Sequence, residues 1–524
     1  MATESPRLLR LDEQLAHWAV VRPGHRALVV PDGSLTFAQV HEHAQKLAAQ
    51  LRALGVRAGD VVAFQLPNLL DAFVLYYAVV GMDAVVLPIL PAMREHDLRY
   101  MLRESRTSLF VTLSSWRGFD HEKLALKSCS VATSIALIEP GAELRLLGKG
   151  ECAVEREEMP RLAPTAGGLD AMCSMIFTSG TSGRSKAVAY SHRNLAVEGR
   201  EMAAVERISA EDVLFVPPSI AHVSGICFGL YMPMAMGSTV CLMPAWSPEA
   251  AVRMIEKERC TWTAGATPFL KGIVDAAERD AFRLRSLRVF RCGGASVPPA
   301  LVQRARELGI DAYRSYGMSE HPTISGRAGQ AADDCIYSDG VVHPLIDMIV
   351  VDPANPQRRL AAGEAGEIAV RGPDQSVGYL RSCDTEASRF DGWLLTGDIG
   401  RLSESRVVTI TGRKKDIIIR KGENIAAKEL EDVIAEIPQV KDVAVVGMPD
   451  AERGEMVCCV MVFHPGKELS LSEVCTHLRA GGVSPFKFPE RLESVDALPY
   501  NAGGKVLKNV IREMLAARDV LSGG

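Results

Sequence analysis

The segment Phe177-Thr-Ser-Gly-Thr-Ser-Gly-Arg-Ser-Lys186 concentrates hydroxyls, glycines and one lysine in ten residues. Thr178, Ser179, Thr181 and Ser182 can donate to phosphate oxygens, and Gly180 and Gly183 let backbone amides come close to the same oxygens. Lys186 adds a mobile positive charge. The segment does not fit Gly-x-x-x-x-Gly-Lys-Ser/Thr in any register, so it is not a Walker loop. Read alone it is either a phosphate grip or a flexible Ser/Gly connector.

Four other groupings could serve the same chemistry. Tyr316-Gly-Met-Ser-Glu320 joins an aromatic, a hydroxyl and a carboxylate, although Tyr-Gly also marks ordinary turns. Thr396-Gly-Asp398 offers an acceptor-only side chain suited to a diol, or simply a capped turn. Gly412-Arg-Lys-Lys-Asp416 is basic enough to be a solvated linker. Lys505, in Pro499-Tyr-Asn-Ala-Gly-Gly-Lys505, would by residue type alone be an exposed lysine.

Positioning these groups requires a framework of strands. Apolar runs at Ala27–Val30, Val61–Leu66, Ala84–Leu87, Ser174–Phe177, Val213–Val216, Thr239–Met243, Trp262–Gly265 and Arg288–Arg291 read as strands, with helices at Leu35–Leu51 and from Leu70 to Gly81. Strands separated by helices predict an α/β fold of doubly wound, parallel sheets, whose ligands collect at the carboxyl ends of strands. After about Tyr337, short strands such as Met348–Val351 and Glu367–Arg371 come with Gly and Pro punctuation, which predicts a small β subdomain. A boundary is expected near Gly412–Asp416, giving a large domain 1–413 and a compact α+β module 414–524.

Bulk properties narrow the chemistry. At 524 residues the chain exceeds one compact core, and 23% charged residues with a formal net charge of −5 give no electrostatic case for nucleic acid or an anionic membrane. The 12 cysteines contain no C-x-x-C pair, and the first residues lack a basic segment followed by an apolar core, so a reducing, cytoplasmic setting is expected. Leu214–Pro248 contains no Asp, Glu, Lys or Arg, yet its prolines, glycines and His222 predict a buried helix followed by a central strand rather than a transmembrane span.

Taken together, the motifs resemble the adenylate-forming superfamily of acyl-CoA synthetases, peptide-synthetase adenylation domains and luciferases. The loop is similar to its Tyr-Thr-Ser-Gly-Thr-Thr-Gly-x-Pro-Lys-Gly signature, with Phe177, Ser182, Ser185 and Ala187 as departures that keep the phosphate donors. The other matches follow in family order from Leu35-Thr-Phe37 to Lys505. The resemblance implies that Thr178–Lys186 grips the pyrophosphate side of ATP. It implies that Gly293, Gly294, Ala295 and Ser296 form the adenine wall and that Tyr316 lies against adenine. Gly317 and Met318 would continue that motif, Ser319 would meet the α-phosphate, and Glu320 would hold Mg²⁺, a hard cation that takes oxygen ligands. Asp398 and Arg413 would contact the ribose, and Lys415 would be the hinge of a small mobile C-terminal domain. Lys505 would bridge the substrate carboxylate and the α-phosphate. After rotation, Gly422 would line the tunnel for the pantetheine of coenzyme A.

The same resemblance places His222, Val223, Gly225, Ile226, Gly293 and His321 around the acyl pocket, where His222 gates or catalyses. A lone histidine could otherwise be a satisfied core residue. Ala221, Val223 and Ser224 supply no carboxylate to pair an α-ammonium, and a buried unpaired ammonium is costly, so an amino acid is not expected. A lipophilic acid is favoured: fatty, alicyclic or aromatic. The expected acceptor is coenzyme A, with a carrier protein's phosphopantetheine as the alternative. A non-catalytic ligand-binding relative is the reading from another class, opposed by the intact Glu320, Asp398 and Lys505. Monomer and homodimer are equally compatible with the sequence.

Overall fold

The computed structural model describes residues 8–139, 141, 143–151, 168–178, 185–294, 297–327, 334–420, 423–450, 453–500 and 506–522. Two large sheets dominate the first four hundred residues. One has nine strands, in the order Val341–Val342, His321–Gly326, Asp311–Met318, Val289–Gly293, Trp262–Gly265, Val213–Val216, Thr239–Leu242, Arg26–Val30 and Gly33–Thr36. The other has eight, in the order Gly378–Tyr379, Ala187–Ser191, Met172–Phe177, Val85–Pro88, Val61–Gln65, Leu109–Thr112, Ser134–Glu139 and Glu143–Lys149.

Both sheets are covered on both faces, which is why their central strands read as unbroken apolar runs. Val62 and Phe64 face a core they share with Leu214 and Val216 of the nine-stranded sheet. Val61 and Ala63 point the other way, toward Leu98 and Leu102, while Phe215 turns to Ile255, Leu270 and Ile273. Helices therefore lie outside each sheet and between them. The helix Leu70–Val80 belongs to the shared layer and is buried from Ala72 through Val80, so it has no polar face.

Several expectations need correction in detail. The sheets are parallel at their centres, as read from the sequence, but antiparallel at their edges. Val30 pairs with Gly33 across Pro31-Asp32, so a hairpin strand precedes the first predicted helix, which begins at Phe37. That short polar strand has no apolar alternation to announce it. The charge-free stretch after Leu214 is a strand end, a helical run from Val223 to Met236 with a wide turn at Cys227–Tyr231, and the strand Thr239–Leu242. No helix among the described residues is long and apolar enough to cross a membrane.

A five-stranded antiparallel sheet follows, built from Asp347–Val351, Gly366–Arg371, Arg389–Phe390, Trp393–Leu402 and Val408–Arg413. After a short turn at Lys414–Asp416, Ile417–Arg420 enters a separate sheet with Glu423–Ala426, Val440–Asp450, Gly454–Phe463 and Arg491–Ser494. The helices Ala427–Ile434, Leu471–Ala480 and Lys508–Ser522 accompany it.

One glycine shows how tightly the region around His222 is built. A Cβ on Gly225 would stand 2.0 Å from the Ser219 carbonyl oxygen, a backbone atom that cannot swing aside. Gly225→Ala is therefore expected to destabilise the protein by at least about 2 kcal/mol, read as a lowered urea midpoint with an unchanged slope.

Candidate functional site

The predicted phosphate grip lies between two paired strands. Met172–Phe177 and Ala187–Ser191 pair antiparallel, with Phe177 opposite Ala187, and the Thr178 amide donates to the Lys186 carbonyl at 2.8 Å. Ser179, Gly180, Thr181, Ser182 and Gly183 lie outside the described residues. This strand pair is held from a third element, because the Tyr100 hydroxyl donates to the Ser185 carbonyl at 2.8 Å. Ser191-His-Arg-Asn194 caps the next helix: the Ser191 hydroxyl accepts the Asn194 amide.

Lys186 is aimed by the edge strand Gly378–Tyr379 and the helix Ser382–Ala387 beyond it. Its ammonium is 3.1 Å from the Asp384 carboxylate and 4.9 Å from the centre of the Tyr379 ring. The Tyr379 hydroxyl donates to Glu320 Oε1. Lys186 and Glu320, 134 positions apart in the chain, thus meet on opposite parts of one tyrosine.

Glu320 sits in the turn between Asp311–Met318 and His321–Gly326, where Met318 pairs with His321. Gly317 is required there, since a Cβ would stand 2.0 Å from the Pro322 carbonyl oxygen. The Tyr190 hydroxyl donates to the Ser319 carbonyl at 2.5 Å, and the Ser376 amide to the Glu320 carbonyl at 2.9 Å. The turn is consequently pinned from two sides, and its buried carboxylate is carried on fixed backbone.

Tyr316, Asp398 and Arg413 converge. Asp398 and Arg413 are cross-strand partners in the small sheet, and Arg413 Nε lies 2.9 Å from Asp398 Oδ1. The Tyr316 hydroxyl donates to Asp398 Oδ2 at 2.7 Å. Burial first, and the adjacent Asp398 charge second, push the Tyr316 phenol well up, so it remains a donor. A carboxylate has about four lone-pair sites, so Asp398 keeps acceptor capacity for a further diol. Gly397, in the left-handed region at φ +70°, turns the strand just before it.

Gly293 and Gly294 end the strand beside Asp311–Met318. A Cβ on Gly293 would meet the Ser315 carbonyl oxygen at 2.6 Å, and Gly294 has φ +82°. Ala295 and Ser296 lie outside the described residues, as do Gly422 and Lys505. Lys415 occupies the turn between the last two sheets, next to Lys414, whose ammonium is 2.8 Å from Glu367.

The acyl-pocket candidates differ in exposure. His222 is half-buried at the start of the helix Val223–Ile226, with Val223 beside it. Ile226 is fully buried in the shared core. Asn68 clamps the segment leading to His222, donating to the Pro218 carbonyl at 2.9 Å and accepting from the Ile220 amide at 3.0 Å. No motif announced Asn68, Tyr379 or Asp384, whose partners lie far away in the chain. His321 is fully buried, with Nδ1 3.1 Å from the Asp374 carboxylate. It borders a polar cluster in which Thr323 donates to Glu198 at 2.6 Å and a small cavity is lined by Glu198, Glu201, Thr323, His343 and Asp374.

Among the described residues no group of three or more His, Cys, Asp or Glu could by itself hold a metal ion. Glu320 alone fits Mg²⁺, which binds through one or two carboxylates and takes its remaining ligands from phosphates and water.

Residues 15–380 match the AMP-binding enzyme family, and residues 429–505 match the AMP-binding enzyme C-terminal domain. A medium-chain fatty-acid–CoA ligase of Escherichia coli (strain K12) is 31% identical over 493 residues, covering 93% of this chain and 86% of its own. A salicylyl-CoA synthase/salicylate adenylyltransferase of a Streptomyces species is 30% identical over 525 residues, covering 97% and 94%. The crystal structure of ATP-bound MatB from Rhodopseudomonas palustris superposes with a TM-score of 0.84 at 27% identity, covering 97% of this chain and 99% of that one.

Glu198 supplies a stability test. Burial first, and the Asp374 charge second, push its carboxyl up to about 8. From the usual carboxylate range up to about 8, the folded chain keeps a proton that the unfolded chain releases, so this group lowers stability as pH rises through that window. Glu198→Gln, which carries the donor permanently, should flatten that decline and raise the urea midpoint near pH 8 relative to wild type.

Proposed function

The chain belongs to the AMP-binding enzyme family, and we propose that it activates a lipophilic carboxylic acid as its acyl adenylate and passes the acyl group to coenzyme A. It is an acid–thiol ligase that uses ATP, Mg²⁺ and coenzyme A. The observation that carries the site assignment is the convergence of Tyr316 and Arg413 on Asp398, with Glu320 four residues beyond Tyr316 at the same hairpin end.

A carboxylate is a poor acyl donor because its leaving group would be oxide. Attack of its oxygen on the α-phosphorus of ATP forms a mixed anhydride and expels pyrophosphate. Both reactants are anions, so the protein must neutralise charge and hold them in line. Asp398 accepts the two ribose hydroxyls, and Arg413 keeps that carboxylate in place. Tyr316 lines the adenine side with the Gly293–Ser296 segment. Thr178 through Gly183 donate to the phosphates, and Ser319 to the α-phosphate. Glu320 would hold Mg²⁺, which would supply positive charge to offset that of the phosphates. Lys505 reaches the acid and the α-phosphate, a fixed positive charge where negative charge develops.

The second half-reaction follows from a division into 1–413 and 414–524 with the turn at Lys415 as the hinge. Rotation withdraws Lys505 and brings Gly422 to the site, so one pocket serves adenylation and then thiol attack on the adenylate carbonyl, which releases AMP. The absence of a Cβ at Gly422 would let pantetheine pass closely.

The acid is assigned to the lipophilic class because Ala221–Ser224 offer no carboxylate and Val223, Gly225 and Phe228 are apolar. The named acids of the two relatives above, a medium-chain fatty acid and salicylate, are of that class. The second relative is named both a CoA synthase and an adenylyltransferase; carrier-protein phosphopantetheine is the alternative acceptor. A reducing, cytoplasmic location suits the dispersed thiols.

AMP release measured over a panel of fatty, alicyclic and aromatic acids, with and without coenzyme A, tests this reading. Acyl-CoA is expected with at least one lipophilic acid, and adenylate that accumulates without ever yielding acyl-CoA moves the acceptor to a carrier protein. Lys505→Ala should lose about a hundredfold or more in adenylation while retaining thioester formation from supplied adenylate. Equal loss in both half-reactions would defeat the two-orientation account.

A further inference from the structure

Tyr379 belongs to none of the motifs, yet it touches two motif residues, Glu320 and Lys186. Gly378–Tyr379 adds a short edge strand to the eight-stranded sheet, with Tyr379 opposite Val188 and Gly378 opposite Ala189. The ring is buried, the hydroxyl donates to Glu320 Oε1, and the Lys186 ammonium stands 4.9 Å from the ring centre.

The strand itself has little freedom. Gly378 has φ +145°, and a Cβ there would meet Thr385 at 2.7 Å. The Thr385 hydroxyl accepts the Tyr379 amide at 2.8 Å. Arg381 forms a two-pronged pair with Glu104, both contacts at 2.6 Å, which fixes the start of the helix that carries Asp384. Asp384 is the second contact of Lys186. A segment of seven residues, 378–384, therefore holds both charged groups and is itself tied to the sheet and to Glu104.

We propose that Tyr379 is a positioning residue of the nucleotide site, its hydroxyl aiming the Glu320 carboxylate and its ring supporting the Lys186 ammonium. The inference rests on the assignment of Glu320 to Mg²⁺ and Lys186 to phosphate given above. The hydroxyl occupies one lone pair of Oε1 and restrains that oxygen, leaving the other lone pairs of the carboxylate open. The ring face attracts the ammonium by cation–π interaction without a conventional hydrogen-bond acceptor. Asp384 balances the lysine charge at 3.1 Å.

The two contacts can be separated by measuring ATP affinity calorimetrically without the acid, once in EDTA and once with Mg²⁺. The metal-free affinity reports the lysine and ribose contacts, and the gain on adding Mg²⁺ reports Glu320. Tyr379→Phe keeps the ring, so its metal-free affinity should stay within about twofold while the Mg²⁺-dependent gain falls about tenfold. Tyr379→Leu, which lacks the ring as well, should also weaken metal-free binding. A full Mg²⁺-dependent gain in Tyr379→Phe, alongside its loss in Glu320→Gln, overturns the role of Tyr379 and leaves the proposed function standing. A full gain in Glu320→Gln removes the carboxylate assignment and the role of Tyr379 with it. Wild-type protein that binds no ATP in either condition overturns both readings.

Discussion

Asp398 is a buried carboxylate, and the site is organised around making that burial tolerable. A carboxylate taken out of water without partners is costly, and one with well-placed donors is not. The Tyr316 hydroxyl comes from the nine-stranded sheet, and Arg413 from the last strand of the small sheet. Satisfying one side chain thereby ties a sheet of the large region to the strand that leads into the C-terminal module. The cross-strand register does the rest: Asp398 lies directly opposite Arg413, so a slip of one residue would turn one of them to the other face.

Glu320 shows the same logic with a different donor. Its turn is pinned through Ser319 and Ser376, and Tyr379 hydrogen-bonds the carboxylate. Phenol hydroxyls suit both places because burial keeps them protonated, and they donate without adding charge. A lysine in either position would compete with the nucleotide for the carboxylate and bring a second charge to desolvate. Positive charge enters instead at Arg413 and Lys186, whose side chains remain partly exposed.

The polar cluster behind Glu320 lies at a three-way junction. Glu198 belongs to the helix His192–Val205, Thr323 to the strand after Glu320, and Asp374 to the loop before Tyr379. A retained proton on Glu198 lets two acidic groups share this buried space.

Much of this was legible from residue order. Continuous apolar runs announced the central strands because parallel strands covered on both faces must be apolar throughout, and Thr178, Tyr316, Glu320, Asp398 and Arg413 stood out through their motif resemblance. The short edge strands at Gly33–Thr36 and Gly378–Tyr379 carried no such pattern, since an edge strand of two to four residues needs little hydrophobic periodicity. Ile226 and His321, read as pocket candidates, are wholly buried in the structure, because the sequence marks apolar and ionisable character but not which neighbour covers it. Sequence by itself determined the residue types that could bind and polarise a nucleotide, because chemistry resides in side-chain identity. Only the tertiary structure decided that Tyr379 joins Lys186 to Glu320 and that Asn68 clamps the approach to His222. Those contacts span 59 to 193 positions and depend on sheet order and register, which no local spacing encodes.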